Sequence, residues 1–212
     1  HGFTWLADLR IVGGPRARHR AQALIADWLS RYGDWDLFVW RPDITGARLA
    51  NWIMHFAFYV ADVDVRFREK LFVSLARQSR HLSRSAHMAN PGLEAVLAQQ
   101  GLIYVGIAVP ESDNYLAQGL ELLEAETRKQ ILPDGGHVSR NPSNQLRMLR
   151  ALLEIRDALM AAHIDLPNWL KNVIERMVPM TRALRMGDGG LVCFHGGGAG
   201  ESAEIDLILA KS

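Results

Sequence analysis

The chain holds a single cysteine, Cys193, among 212 residues. One thiol closes no intrachain disulfide, and it cannot build the Cys-rich ligand set of a structural zinc site. Lysine is almost as scarce, with 4 against 20 arginines. The arginine fork suits bidentate recognition of carboxylate or sulfate. A GC-rich coding preference explains the same bias without any ligand, and it is the weightier explanation. Long apolar runs are absent. None approaches the roughly 20 residues that a membrane-spanning helix needs, and no membrane partner is expected. The pI is about 8.2, and no basic cluster is interleaved with exposed aromatics, so no nucleic-acid footprint is present. The chain begins at His1 with neither a Met nor a signal-peptide pattern, which leaves the compartment open.

What the sequence does have is helical periodicity and enough length for a proper core. Ala21, Leu24, Ile25, Trp28, Leu29 and Tyr32 follow the i, i+3, i+4, i+7 spacing of an apolar helix face. Pro15 suits the first turn of that helix and Gly33 its stop. An aromatic loop, DWDLFVWRPD (34–43), follows. Further helices are expected over 46–60 and 64–85, from Asn90-Pro91 to before Pro110, and from about Ser112 to Ile131. Another is expected from Ser143, as N-cap, to about Ala162. The last begins near Pro167 and ends at Gly187, with Pro179 as a kink point. In the tail, LVCFH (191–195) has the look of a short strand, and SAEIDLILA fits a short helix or strand. The helices pair into hairpins over 46–85, 91–131 and 143–186. LPDGGHV (132–138) and MGDGGLV (186–192) form a faint repeat. The expected fold is all-α, built of stacked helical hairpins in a solenoid or closed toroid, with a short irregular or β tail.

Four constellations are able to carry chemistry. Arg48, Asn51 and His55 share one face of an apolar helix, with Trp52 beside them. That stripe faces either solvent or a site, and burial would demand partners. Asp134-Gly135-Gly136 reads as a turn, followed by His137, Arg140 and Asn141. These three supply a titrating imidazole, an anion-binding fork and a hydrogen-bond donor within five residues. Asp134 and Ser143 have plainer roles in turn and cap. Around Cys193 and His195 there is no third metal ligand nearby, and GGAGESA lacks the βαβ unit of a dinucleotide site. Finally, the basic segment 66–87 is most simply a solvated helix face, or else a groove for a polyanion. Trp35 and Trp40 would then stack on sugar rings, although such aromatics more often pack into a core.

Five segments in order, GFTWLADLR, W-x-x-x-x-W-R-P-D, R-L-x-N-W, QILPDGGHVSRNP and GDGGLxxFxGGGxG, resemble the heparinase II/III-like family of bacterial polysaccharide lyases. The resemblance runs from about Phe3 to Leu209, and DGGHVSRNP is its most specific part. It implies an (α/α) toroid over 1–186, incomplete in this chain, and the start of a C-terminal β-sheet domain over 187–212. It also implies a bacterial protein, periplasmic or cytoplasmic, that cleaves uronate-containing glycans by β-elimination. That chemistry needs a neutraliser for the uronate carboxylate, a base for the C5 proton and an acid for the leaving O4.

By resemblance, Asn51 is the neutraliser, supported by Arg48, and His137 and Arg140 are catalytic. Trp40, Trp52, His55, Asn141 and His195 are substrate-binding candidates. No cofactor is expected from these residues, and a metal would belong to the β-sheet domain. The expected partners are an acidic polysaccharide and that β-sheet domain. The family pattern D-G-x-x-x-E-x-S-x-x-Y-H is broken here. Ser139 stands for Glu, Asn144 for the catalytic Tyr and Gln145 for His. The chain alone is therefore expected to be inactive or nearly so. Two other readings remain, a toroid glycoside hydrolase using Asp134 and Asp188 and a non-catalytic glycan-binding module.

Overall fold

The computed structural model describes residues 1–109 and 113–212. Among the described residues the chain forms ten α-helices, a single 3-10 turn and no strand. The expected helix boundaries at Pro110 and Ser112 lie outside the described residues. The chain divides into two compact units, one of residues 1–90 and 97–119, the other of 91–96 and 120–212.

The first unit contains α1 (Leu6–Val12), α2 (Gly14–Tyr32), α3 (Pro42–Met54), α4 (Phe56–Val60), α5 (Val65–Ser85) and the 3-10 turn Ala86–Met88. Most of α6 (Leu93–Ala108) and the start of α7 (Asp113–Gln130) complete it. In α2 the buried residues Ala17, Ala21, Ile25 and Trp28 recur at the spacing read from the sequence, with a proline in the first turn. Asp64 caps α5, its side chain accepting from the Phe67 N–H at 2.7 Å. This satisfies one of the free donors of the first turn. Phe3, Trp28 and Trp52 meet edge to face, with centroids 5.2 to 5.8 Å apart, a favoured aromatic geometry. Helix α3 approaches α6 at two glycines. A Cβ on Gly46 would strike the Leu97 carbonyl, and one on Gly101 would strike the Gly46 backbone. No other residue permits that approach.

The second unit is organised by α8 (Pro142–Ala161), which packs against α9 (Asn168–Ala183) and α10 (Ser202–Ala210). Leu149, Leu152, Leu153, Ile155 and Leu159 of α8 are all buried. They cover more than one face, as a helix flanked on several sides requires.

Several expected boundaries shift. The helix expected over 46–60 starts at Pro42, which fits the first helical turn. It then breaks at His55, whose φ of −105° and ψ of 10° leave the helical region. The last long helix ends at Ala183 rather than Gly187, with Pro179 inside it. LVCFH is not a strand. Leu191 makes one isolated bridge, to Arg185, and no neighbouring strand extends the ladder. SAEIDLILA is helical. Ser143 is not the cap of α8. Pro142 takes the first helical position, and the capping side chain is that of Asn141, which accepts from the Asn144 N–H at 3.1 Å. Proline at that position has no N–H to satisfy, so the cap falls on the residue before it.

Candidate functional site

Two polar clusters arise, one in each unit. In the first, Arg48 is fully buried. Its Nε donates to Gln78 Oε1 at 2.5 Å, and its terminal nitrogens to Val39 O at 3.0 Å and Thr45 Oγ1 at 3.2 Å. The guanidinium lies 4.4 Å from the centroid of the Trp28 ring. Among the described residues, no carboxylate pairs with it. Burial lowers its pKa to about 9, so it is still charged at neutral pH. A buried cation held by neutral acceptors and an aromatic face organises a core. Asn51 donates its amide to Gly2 O at 3.0 Å and Ala47 O at 2.8 Å. Trp52 is fully buried. His55 is buried as well, its Nδ1 without a hydrogen-bond partner, and burial and then the nearby Arg10 charge lower its pKa. The stripe read from the sequence is thus one face of a helix, but that face points mainly into protein.

Trp40 is nearly buried, its Nε1 donating to Tyr32 O at 3.1 Å. The His81 ring stands edge-on to it at 5.3 Å.

The second cluster is built on a duplicated turn. At 130–138, Leu132 N donates to Gly136 O at 2.9 Å and Val138 N to Gln130 O at 2.7 Å. At 184–192, Met186 N donates to Gly190 O at 2.8 Å and Val192 N to Leu184 O at 2.9 Å. Asp134 and Asp188 play one role: each accepts from the second glycine's N–H at 2.9 Å. Gly135 and Gly189 hold φ of 82° and 87°, in the left-handed region that glycine enters freely. The repeat seen in the sequence is therefore a structural repeat.

After the first turn come the candidate residues. Arg140, itself at φ 53°, pairs with Asp134 at 2.7 Å on the exposed surface. The Arg140 hydrogen bond and that of the Gly136 N–H hold the Asp134 carboxyl below its usual pKa. His137 is buried. Its Nδ1 accepts from the Ser139 backbone N–H at 3.1 Å and lies 2.8 Å from Ser139 Oγ. A nitrogen that accepts carries no proton, so the neutral ring carries its proton on Nε2. Burial also lowers the His137 pKa, which favours that neutral form. In this tautomer His137 presents Nε2–H as a hydrogen-bond donor and has no free nitrogen to act as a base. Asn141 ties the turn to the tail through Nδ2, which donates to His195 O at 2.8 Å. The His195 ring is exposed and stands edge-on to Phe194.

One residue that matters here shows in the sequence only as a departure from the family pattern. Gln145 is 1% exposed. Its Oε1 accepts from His137 N at 2.6 Å, and its Nε2 donates to Gly135 O at 3.0 Å and Thr181 Oγ1 at 3.1 Å. It locks the turn to α9. Asn144 donates to Ser139 Oγ at 3.2 Å, and so supports the hydroxyl that holds His137. Between these elements lies a cavity of about 110 Å³ lined by His137, Arg140, Asn141, Gln145 and Phe194. That is well under the roughly 300 Å³ at which small-molecule sites begin. It cannot enclose a sugar ring.

The Heparinase II/III N-terminus family matches residues 24–197. The chain belongs to this family. Solved heparinases share the fold at low identity. Heparinase III superposes with a TM-score of 0.74 over 91% of this chain and 32% of that one, at 15% identity. The heparan sulfate lyase HepC from Pedobacter heparinus gives 0.70 over 92% and 33%, at 20% identity. These are toroid-type helical neighbours, and they fix the fold class as all-α. Among curated proteins, FtsZ-localized protein C of Caulobacter vibrioides is 33% identical over 210 residues, 99% of this chain and 36% of that protein. The chain thus spans about a third of the relatives it matches. Among the described residues, no group of His, Cys, Asp and Glu is placed to hold a metal ion, and no helix is long and apolar enough to cross a membrane.

Proposed function

We propose that this chain is the helical, glycan-recognising domain of a heparinase II/III-type polysaccharide lyase-like protein whose whole length acts on uronate-containing glycans by β-elimination. The observation that carries the reading is the His137 turn in a chain of this family. A buried neutral imidazole with its proton on Nε2 is suited to donate a hydrogen bond to a glycan oxygen such as the leaving O4. Arg140 beside it supplies exposed positive charge for a uronate carboxylate or a sulfate.

The base that takes the C5 proton and the acid that protonates the leaving O4 come from elsewhere. Asn144 has no acid–base chemistry, and Asn51 spends its amide on two backbone carbonyls. By itself the chain is inactive or nearly so. In this reading residues 1–186 form the helical domain, and 187–212 lead into the β-sheet domain that completes the cleft. The test is to incubate the full-length protein with uronate polymers and follow the ultraviolet absorbance of the unsaturated product. No absorbance with any such polymer would overturn the lyase reading. Reducing ends without absorbance would place the protein among hydrolases.

A second reading is favoured by the relative that is 33% identical across 99% of the chain. Its name places it with FtsZ, and the same placement is proposed for the present protein, as a division-site protein that binds glycan without turning it over. A fluorescent fusion of the full-length protein that stays diffuse while FtsZ rings are present would overturn this.

A further inference from the structure

The first unit also carries open grooves that none of the Arg48 stripe residues lines. Two grooves, of about 590 and 440 Å³, share Gly33, Asp34 and Arg77 and run along one side of α5. The smaller is walled by Trp35 and by Arg77, Arg80 and Arg84, with Trp40 and His81 also lining it. Its arginines are spaced i, i+3 and i+7, so they share one helix face. Arg77 is paired to Asp34 at 3.1 Å, an exposed contact that a ligand can displace. Arg80 and Arg84 are exposed, and neither has an acidic partner among the described residues. Trp35 is 63% exposed, although Trp40 five residues on is buried. A large exposed indole beside two unpaired guanidinium groups is unusual, because the indole gains free energy from burial and the cations from pairing.

From the groove built by Trp35, Arg80 and Arg84 we infer a second binding site for an acidic saccharide, outside the His137 turn. A pyranose ring lays the C–H groups of one face on the Trp35 indole, whose ring face is negative. The carboxylate or sulfate of the same or the next residue takes bidentate bonds from Arg80 and Arg84. The volume fits a ligand of one or two rings, which the cavity beside His137 does not. An acidic peptide would satisfy the arginines but leaves the flat exposed indole without a matching face. The site holds an acidic polymer on the protein while the reaction takes place elsewhere. This inference rests on the acidic-glycan reading but not on turnover.

The experiment is titration calorimetry of the full-length protein with a sulfated uronate hexasaccharide. It uses the wild type, W35A, R80A/R84A and, as a charge-matched control outside the groove, R16A/R20A. Poly-glutamate and phosphatidylglycerol vesicles serve as competing ligands. Product absorbance is measured on the same samples. The expected result is a loss of about 10-fold or more in affinity for R80A/R84A and a clear loss for W35A. R16A/R20A should bind as the wild type does, and R80A/R84A should show a shallower salt dependence. Binding that persists unchanged in both groove variants overturns the inference, whether or not the protein turns over substrate. So does a wild type that binds poly-glutamate or vesicles through these residues in preference to the hexasaccharide. Groove-dependent binding without product absorbance keeps the inference and removes the lyase reading.

Discussion

Gln145→Ala offers a direct test of how the His137 turn is held. The side chain is 1% exposed and serves two backbone groups that, among the described residues, it alone satisfies, the His137 N–H at 2.6 Å and the Gly135 carbonyl at 3.0 Å. Its bonds to Met177 O and Thr181 Oγ1 matter less, because those two groups already bond each other at 2.8 Å. Truncation therefore leaves one donor and one acceptor buried without partners. At about 1–3 kcal/mol for each, the expected loss is about 2–6 kcal/mol. Any water admitted to the vacated space moves it toward the lower figure. Gln145→Glu should cost more than Gln145→Ala. It keeps the acceptor for His137 but sets a buried negative charge against the Gly135 carbonyl. Urea unfolding gives the global figure, and hydrogen exchange at the His137 amide gives the local one. A loss below about 1 kcal/mol with unchanged exchange at His137 would refute the assignment of Gln145 as the lock.

Other expectations follow from single contacts. Asn141→Ala should destabilise by about 1 kcal/mol through loss of the α8 cap, whereas Ser143→Ala should cost less, and urea midpoints separate the two. Gly135→Ala should be far more damaging than Gly187→Ala. A Cβ at 135 meets the Arg176 carbonyl and sits at positive φ, but a Cβ at 187 meets nothing. Thermal unfolding of the pair reads the difference. Burial depresses the pKa of both His55 and His137 below the ordinary 6.5. The unfolded chain then binds protons first, so stability is full above the ordinary value and is lost as pH falls from there toward the folded pKa. Urea midpoints should drop between neutral pH and pH ~5, and a His55→Asn/His137→Asn double variant should show a shallower drop.

The helical class and the positions of α2, α5, α8 and α9 were readable because apolar residues recur at helical spacing over long stretches. The break at His55 was not. FAFYV continues the apolar pattern, and the fault lies in one residue's backbone angles. The cap of α8 was misread because Ser143 and Asn141 are both good caps, and only Pro142 between them decides. The Arg48 stripe was readable as a face, but which way it points depends on Gln78, Val39 and Trp28, brought in from other elements. Spacing within one helix carries no information about that. Gln145 was visible only as a departure from a family pattern, since a glutamine in a helix announces nothing until its partners are known.

The two turns separate what the scaffold demands from what has been added to it. Both use aspartate to hold the second glycine's N–H, and both place the first glycine at positive φ. Asp134 and Asp188 are accordingly accounted for by turn geometry, which weakens their claim to be a hydrolytic acid–base pair. The residue that closes each turn by an isolated bridge is where the copies differ, with His137 bridging Ile131 and Leu191 bridging Arg185. Leu191 shows that the turn accepts a buried apolar side chain there. A histidine at the equivalent place costs desolvation and needs Ser139 to hold it. The turn gains nothing from it. That cost, borne in one copy and not the other, is the strongest physical reason to look for chemistry at His137 rather than at the aspartates.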